Sequence, residues 1–229
     1  MRLGKKRLKD DRDIKPVEEM ALPLAATLAC AILLLIAFAW LATEVLEGSA
    51  QQFDLRSRQF VHQFASPPVT VAMERVTFLG SPAILSVLFA VVVVICILSK
   101  RRRPAAWVAI AMGGAFVLDF TLKQAFHRAR PVPFFGLAPH SYSFPSGHAL
   151  GSLCFYGVLA GLLTARIRNR LVRVLIWTAG AALVIAIGFS RIYLGVHYAT
   201  DVIAGYIAAA IWISMLLIAD RMYRPANPK

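Results

Sequence analysis

Six apolar stretches dominate the chain and restrict what it can fold into. They run from Ala21 to Thr43, Gly80 to Ser99, Pro104 to Leu122, Ala149 to Ala165, Val174 to Ser190 and Val202 to Ala219. Asp119 is the one charge inside the third, and the first holds none. A bilayer core about 30 Å thick needs roughly 20 apolar residues per helical crossing, with about 17 as the lower limit. The pattern therefore predicts an all-α fold, an integral membrane bundle of six transmembrane helices. The last three stretches are near the short limit, so packing within a bundle must help to seat them.

An even number of crossings puts both termini on one side, and the basic residues say which. Arg2, Lys5, Lys6, Arg7, Lys9, Arg12 and Lys15 precede the first span. Lys100 to Arg103 follow the second, Arg166, Arg168, Arg170 and Arg173 follow the fourth, and Arg221, Arg224 and Lys229 follow the sixth. Most of the 25 Lys and Arg thus share one face, which should be cytoplasmic. The same distribution accounts for the formal charge of +13 without nucleic acid, because orientation already requires basic loops. The N-terminal basic block is placed to touch anionic lipid head groups. Its apolar run exceeds a signal h-region and lacks a small-residue cleavage site, so it should remain as a span. Cys30, Cys96 and Cys154 fall inside spans without metal-ligand spacing and read as small packing residues. One domain is expected over 21–219, between a basic cytoplasmic tail at 1–20 and a second tail at 220–229.

This topology leaves three loops outside. In the longest, Glu44 to Leu79, Phe53, Phe60, Val61 and Phe64 fall on one helical side with Arg56, Gln59 and Gln63 elsewhere. A short amphipathic helix lying in the outer interface and ended by Pro67 and Pro68 is expected. Lys123, Arg130 and Arg191 lie at the outer ends of the third and fifth spans, where a charge is expensive and normally marks function. Gathered around one volume they form an anion site, the guanidinium forks matching phosphate oxygens. "PSGH" adds the Ser146 hydroxyl, a closely approachable backbone N–H at Gly147 and the positive end of a helix.

His197 and Asp201 are four residues apart and share a helical face, so the carboxylate can orient the imidazole and free the lone pair of its other nitrogen. His197 is the better nucleophile candidate. His148, beside the phosphate cradle and with no carboxylate four residues away, suits the acid role.

These residues carry a family resemblance. "KQAFHRARP" (Lys123 to Pro131), "PSGH" (Pro145 to His148) and "SRIYLGVHYATD" (Ser190 to Asp201) resemble, in order, the three signatures of the type 2 phosphatidic acid phosphatase family, which is related to the vanadium haloperoxidases. The resemblance implies a metal-independent hydrolase of a phosphomonoester or diphosphate. It implies that Lys123, Arg130, Ser146, Gly147 and Arg191 hold the phosphoryl oxygens. His197 would form a phosphohistidine, and His148 would act as acid and then as base toward water. The chemistry suits such a site because phosphoryl transfer is catalysed chiefly by positioning and electrostatics, and fixed cations can supply what metals supply elsewhere. The sequence offers no clustered carboxylates or Cys for a metal, so no cofactor and activity in a chelator are expected.

The expected substrate is a membrane lipid phosphate, with an isoprenoid carrier such as undecaprenyl diphosphate as the first guess and phosphatidylglycerol phosphate or phosphatidate close behind. The expected home is a bacterial-type inner membrane with the site facing out. A lipid phosphotransferase would use the same site, and a transporter or scaffold would merely bind an anion there. Asp119, four residues before Lys123, should pair with it and hold it in position. His62 reads as solvated, His127 as a helix-end residue and His140 as a weak candidate for head-group contact. Phe134, Phe135, Tyr142 and Phe144 read as an interfacial belt or as guides for a lipid tail.

Overall fold

The computed structural model describes residues 15–136 and 140–222, and every regular element among them is a helix. The basic residues before Lys15 and those at Arg224 and Lys229 lie outside the described residues. α1 (Lys15–Leu46), α5 (Arg102–Phe126), α6 (Gly147–Thr164), α7 (Arg170–Tyr193) and α8 (Ala199–Met222) are each long and apolar enough to cross a membrane. A sixth candidate span is composite. α4 (Pro82–Leu98) continues α3 (Pro67–Leu79) across a 44° bend, and the pair together passes the same test. α2 (Gln51–His62) lies between α1 and α3.

Local chemistry explains the corner. Pro67 and Pro68 start α3, since a pyrrolidine ring fits a first turn that lacks intrahelical N–H partners. Ser81 then caps α4, its Oγ accepting from Ile84 N at 3.3 Å, with Pro82 following. A Cβ on Gly80 would sit 2.3 Å from Ile187 Cγ2, so only glycine lets this corner rest against α7. Hydropathy alone placed 67–79 in an outer loop because α3 carries Glu74 and Arg75 and is weakly apolar. α7 and α8 exceed their apolar stretches, reaching 24 residues each, because basic residues extend one end and site residues the other. Those two spans are therefore full length, whereas α6 keeps 18 residues and stays near the short limit.

Small residues let the helices approach closely. Ala115 of α5, Leu150 and Cys154 of α6, and Ala208 and Ala209 of α8 form one buried cluster. Leu41 and Ala42 of α1 pack with Ala204 and the fully buried Phe144 in another. The outward faces are apolar as well: Leu33, Phe116 and Leu171 are each more than 60% exposed, as expected of surface turned to lipid rather than water. Cys96 and Cys154 pack inside, whereas Cys30 is on an exposed face.

α2 turns its rings outward as an interfacial helix would, but it ends at His62 rather than at the prolines, and Val61, expected beside the rings, is buried on the other side. Its buried side holds Asp54, Arg58 and Val61, while Phe53, Phe60 and Phe64 are more than half exposed. The charges turn inward because they have partners there, and the rings turn outward where lipid can take them. Phe144 is likewise no belt residue, being packed against Phe38 and Phe126.

Candidate active site

Three connections meet at one end of the bundle: the α5–α6 segment, the turn between α7 and α8, and the α3–α4 corner. Between them opens a cavity of about 1300 Å³ lined by Lys123, Arg130, Gly147, His148, Arg191 and His197. Ser146 and Asp201 stand behind its wall and are fully buried. The eight residues expected from the three motifs are thus brought together from α5, the α5–α6 segment, α6, α7, the α7–α8 turn and α8.

Hydrogen bonding fixes the tautomer of His197. A guanidinium can only donate, so the 2.9 Å contact from Arg130 Nη1 makes His197 Nε2 an acceptor and places the ring proton on Nδ1. Nδ1 donates to Asp201 Oδ2 at 3.3 Å. Oδ2 also accepts from Tyr198 N at 2.9 Å and from the Ser143 hydroxyl, and Oδ1 from Arg128 Nη1 at 2.6 Å. The carboxylate is held from four sides and cannot rotate away from the ring. His197, with Nε2 unprotonated, lies at the cavity wall.

The turn carrying His197 requires glycine at 195. Gly195 has φ +75°, and a Cβ there would meet the backbone N of Phe134 at 2.6 Å. Phe134 N in turn donates to Leu194 O at 3.1 Å, joining the two loops of the site.

The cations are placed differently from one another. Lys123 is paired with Asp119, as the i, i+4 spacing suggested. A Cβ on Gly147 would lie 2.8 Å from Asp119 Oδ1, so this glycine makes room for the ion pair as well as exposing its own N–H. Arg130 is fixed by Ser141 O at 2.6 Å and Val196 O at 2.9 Å. Arg191 donates to Thr77 Oγ1 at 2.6 Å, while its buried Nε has no hydrogen-bond partner among the described residues. The buried Ser146 Oγ has none either. Unused donors around three cations are what an incoming oxyanion would satisfy. Among the described residues no group of three His, Cys, Asp or Glu is placed to hold a metal ion.

The sequence reading missed Asp54, Thr77, Arg128, Ser143 and Thr200. Arg128 was visible as a second arginine in "HRARP"; the others are common residue types separated from their partners by 58 to 146 positions. His140 lines the cavity, His127 ends α5 in the left-handed region at φ 46° and touches Tyr142, and His62 stacks on Phe134.

Burial pushes His197 down to about 4, with Arg130 and Arg191 acting in the same sense against the opposing pull of Asp201. The ring is therefore neutral throughout the physiological range, with Nδ1 protonated and the Nε2 lone pair accepting from Arg130. An unfolded histidine takes up its proton near 6.5, so acid favours unfolding progressively as pH falls from 6.5 through 4. We expect the ring nitrogens of His197, assigned by ¹⁵N-histidine NMR against a His197→Ala blank, to titrate about two pH units below an exposed histidine. Titration at the ordinary value would contradict the buried, Asp-held geometry.

A helical membrane bundle whose loops close a basic pocket over a His–Asp pair defines the class; sequence comparison supplies the family. The chain belongs to the PAP2 superfamily, whose model matches residues 104–224. It is 25% identical over 174 residues to phosphatidylglycerophosphatase B of Bacillus subtilis, covering 76% of this chain and 86% of that one. It is 31% identical over 134 residues to undecaprenyl-diphosphatase of Sulfolobus acidocaldarius, covering 56% of this chain and 60% of that protein. The fold matches the crystal structure of a transmembrane PAP2 type phosphatidylglycerolphosphate phosphatase from Bacillus subtilis with a TM-score of 0.77, at 23% identity, over 85% of this chain and 97% of that one.

Proposed function

We propose that the chain is a metal-independent lipid phosphatase that works through a phosphohistidine. The observation that carries this reading is the single cavity in which His197 Nε2, His148 and three cations meet. Lys123, Arg130 and Arg191, with the Ser146 hydroxyl and the Gly147 N–H, hold the phosphoryl oxygens. The Nε2 lone pair attacks phosphorus, the bond to the lipid oxygen or leaving phosphate breaks, and His148 gives that oxygen a proton. Asp201 stabilises the charge that develops on the imidazole. Water then attacks the phosphoryl group, His148 takes its proton, and phosphate leaves with His197 restored.

The lipid is held by the rest of the cavity. Away from the cations its lining becomes Leu85 and Phe89 of α4 and Met112, Phe116 and Phe120 of α5, an apolar wall suited to an acyl or prenyl chain. Named relatives act on phosphatidylglycerophosphate and on undecaprenyl diphosphate, which share a phosphoryl group on a long apolar tail. Undecaprenyl diphosphate is our first candidate, ahead of phosphatidylglycerol phosphate and phosphatidate.

The site lies on the outer side of a bacterial-type inner membrane with both termini in the cytoplasm. Supporting this, Lys100 to Arg103 and Arg166 to Arg173 sit at the opposite ends of α5, α6 and α7 from the cavity. The family segment and the apolar helices support one phosphatase domain over 21–219 with short tails.

The deciding experiment measures phosphate release by detergent-purified protein, in excess chelator, from an isoprenoid diphosphate, phosphatidylglycerol phosphate and phosphatidate. Release from at least one lipid supports the hydrolase and ranks the substrates. Absence of release, or release only with added divalent metal, overturns it.

The tail wall can be tested separately. A Cβ on Gly113 would meet nothing within 4 Å, and the residue lines the cavity. Gly113→Phe should displace two or three methylenes of a bound tail, costing about 2 kcal/mol or roughly 30-fold in kcat/KM for a long-chain lipid. A short, water-soluble phosphate ester should be hydrolysed as before. Equal loss for both substrates would place the tail elsewhere.

A further inference from the structure

We propose that Asp54 of α2 is a positioning residue for the reaction, acting through Arg128 and Thr200 on the Asp201 carboxylate that holds His197. This rests on the reading of His197 as the nucleophile. Asp54 lies outside the segment matched to the family and on a helix that hydropathy marked only as an interfacial element.

Asp54 is fully buried, and all its contacts point to the site. Its Oδ1 accepts from Thr200 N at 3.0 Å, and its Oδ2 accepts from Thr200 Oγ1 at 2.7 Å and Arg128 Nη2 at 2.7 Å. Arg128 spans two carboxylates, its Nη1 reaching Asp201 Oδ1 at 2.6 Å and Thr200 Oγ1 at 2.8 Å. Its guanidinium also lies 4.3 Å from the Tyr198 ring centroid, so the residue beside His197 is gripped too. One turn along α2, Arg58 donates to Val132 O at 2.6 Å and to Gly195 O at 3.4 Å, tying both site loops to the same helix.

Charge accounting gives Asp54 its role. Arg128 alone against Asp201 would neutralise the carboxylate on which His197 depends. A second carboxylate divides the guanidinium's charge, leaving Asp201 able to stabilise positive charge on the ring. Thr200 begins the α8 turn that contains Asp201, so the bond from its N–H to Asp54 also fixes the carboxylate's register against the ring. A helix that merely caps the bundle would need apolar contact, not a buried carboxylate committed to the dyad's own neighbours.

The test is Asp54→Asn, which keeps the shape and an acceptor for Thr200 N but removes the charge. We expect kcat to fall by about 10-fold to 100-fold, the range for residues that orient a reacting group from one shell out, with KM unchanged within about twofold. In the substrate-free protein the His197 ring should titrate below its wild-type value. The other charged or titratable groups around that ring, Lys123 of α5, Arg130, His148 of α6, Arg191 of α7 and Asp201 of α8, are unaltered in the variant. With Arg128→Met already present, Asp54→Asn should change kcat by less than about twofold, because Asn keeps an acceptor for Thr200 N and the charge route through Arg128 is gone. If Asp54→Asn does not fold in detergent, the double variant measured against Arg128→Met carries the test, with kcat expected within about twofold of that single variant. Wild-type titration and kcat in Asp54→Asn, or a fall in kcat of more than about twofold from Arg128→Met to the double variant, would overturn the proposal. Because the titration is read without substrate, its outcome is distinct from failure of the phosphatase reading, which would appear as full turnover in His197→Ala.

Discussion

Replacing His197 by Ala is expected to reduce phosphate release by about four to six orders of magnitude, as for nucleophiles and their bases in other covalent mechanisms. The geometry gives the reason. Nε2 is the only nitrogen of the ring whose lone pair faces the cavity, since Nδ1 is committed to Asp201. On the proposed mechanism, loss of the ring removes the atom that would form the covalent bond, and among the described residues no carboxylate hydrogen-bonds His148 to hold it in the same role. The variant should still fold, because Asp201 keeps Ser143, Tyr198 N and Arg128 as donors. It should also still bind an oxyanion, because Lys123, Arg130 and Arg191 remain and Arg130 is released from Nε2. Two measurements make the interpretation specific. Labelled phosphoryl should appear on the wild type as an alkali-stable, acid-labile adduct and be absent from the variant, and added imidazole should restore part of the variant's turnover by filling the vacated space. Residual activity within tenfold of wild type, or a phosphoryl adduct that persists in the variant, would assign the attack to another residue.

That prediction uses residues readable from the chain, and the reason is local spacing. His197 and Asp201 share a helical face by their four-residue separation, and Asp119 and Lys123 do so in α5; such pairs depend on nothing distant. The spans were readable because bilayer thickness sets a minimum apolar length. What could not be read depends on which faces meet. Asp54 and Thr200 are 146 positions apart, and Thr77 and Arg191 are 114 apart, so no periodicity in the sequence announces either pair. Val61 of α2 was read on the side of the phenylalanines for a related reason. Hydrophobic phasing assumes that polar residues seek water, whereas here Asp54 and Arg58 find partners inside and the phenylalanines find an apolar environment outside. In a membrane protein, apolar patterning identifies the lipid-facing side as readily as the core, and only the position of the partner charges separates the two.

Arg191 carries the second large effect, and it should separate stability from activity. The side chain is 7% exposed, in a pocket that also holds Lys123 and Arg130, with Thr77 as its hydrogen-bond partner and Nε unused. Asp119 is already engaged by Lys123, so among the described residues no carboxylate is paired with Arg191. A buried cation without a counter-ion costs stability, and replacement of buried charge by an apolar side chain of similar volume is often neutral or stabilising by about 1–4 kcal/mol. Arg191→Met should therefore raise the melting temperature of the substrate-free protein by several degrees, taking about 2–4 °C per kcal/mol for a chain of this size. The same change removes a fork that can meet two phosphoryl oxygens as charge spreads over them, so kcat/KM should fall about 10²-fold to 10³-fold. Arg191→Lys should recover little of this, because an ammonium cannot reproduce the bidentate geometry. Orthovanadate or phosphate should raise the melting temperature of the wild type by mass action and do so much less in Arg191→Met. A variant that is less stable than wild type yet retains its activity would show that Arg191 is a structural link to α3 through Thr77. A more stable and inactive variant would show that the protein carries this charge for the sake of the anion it binds.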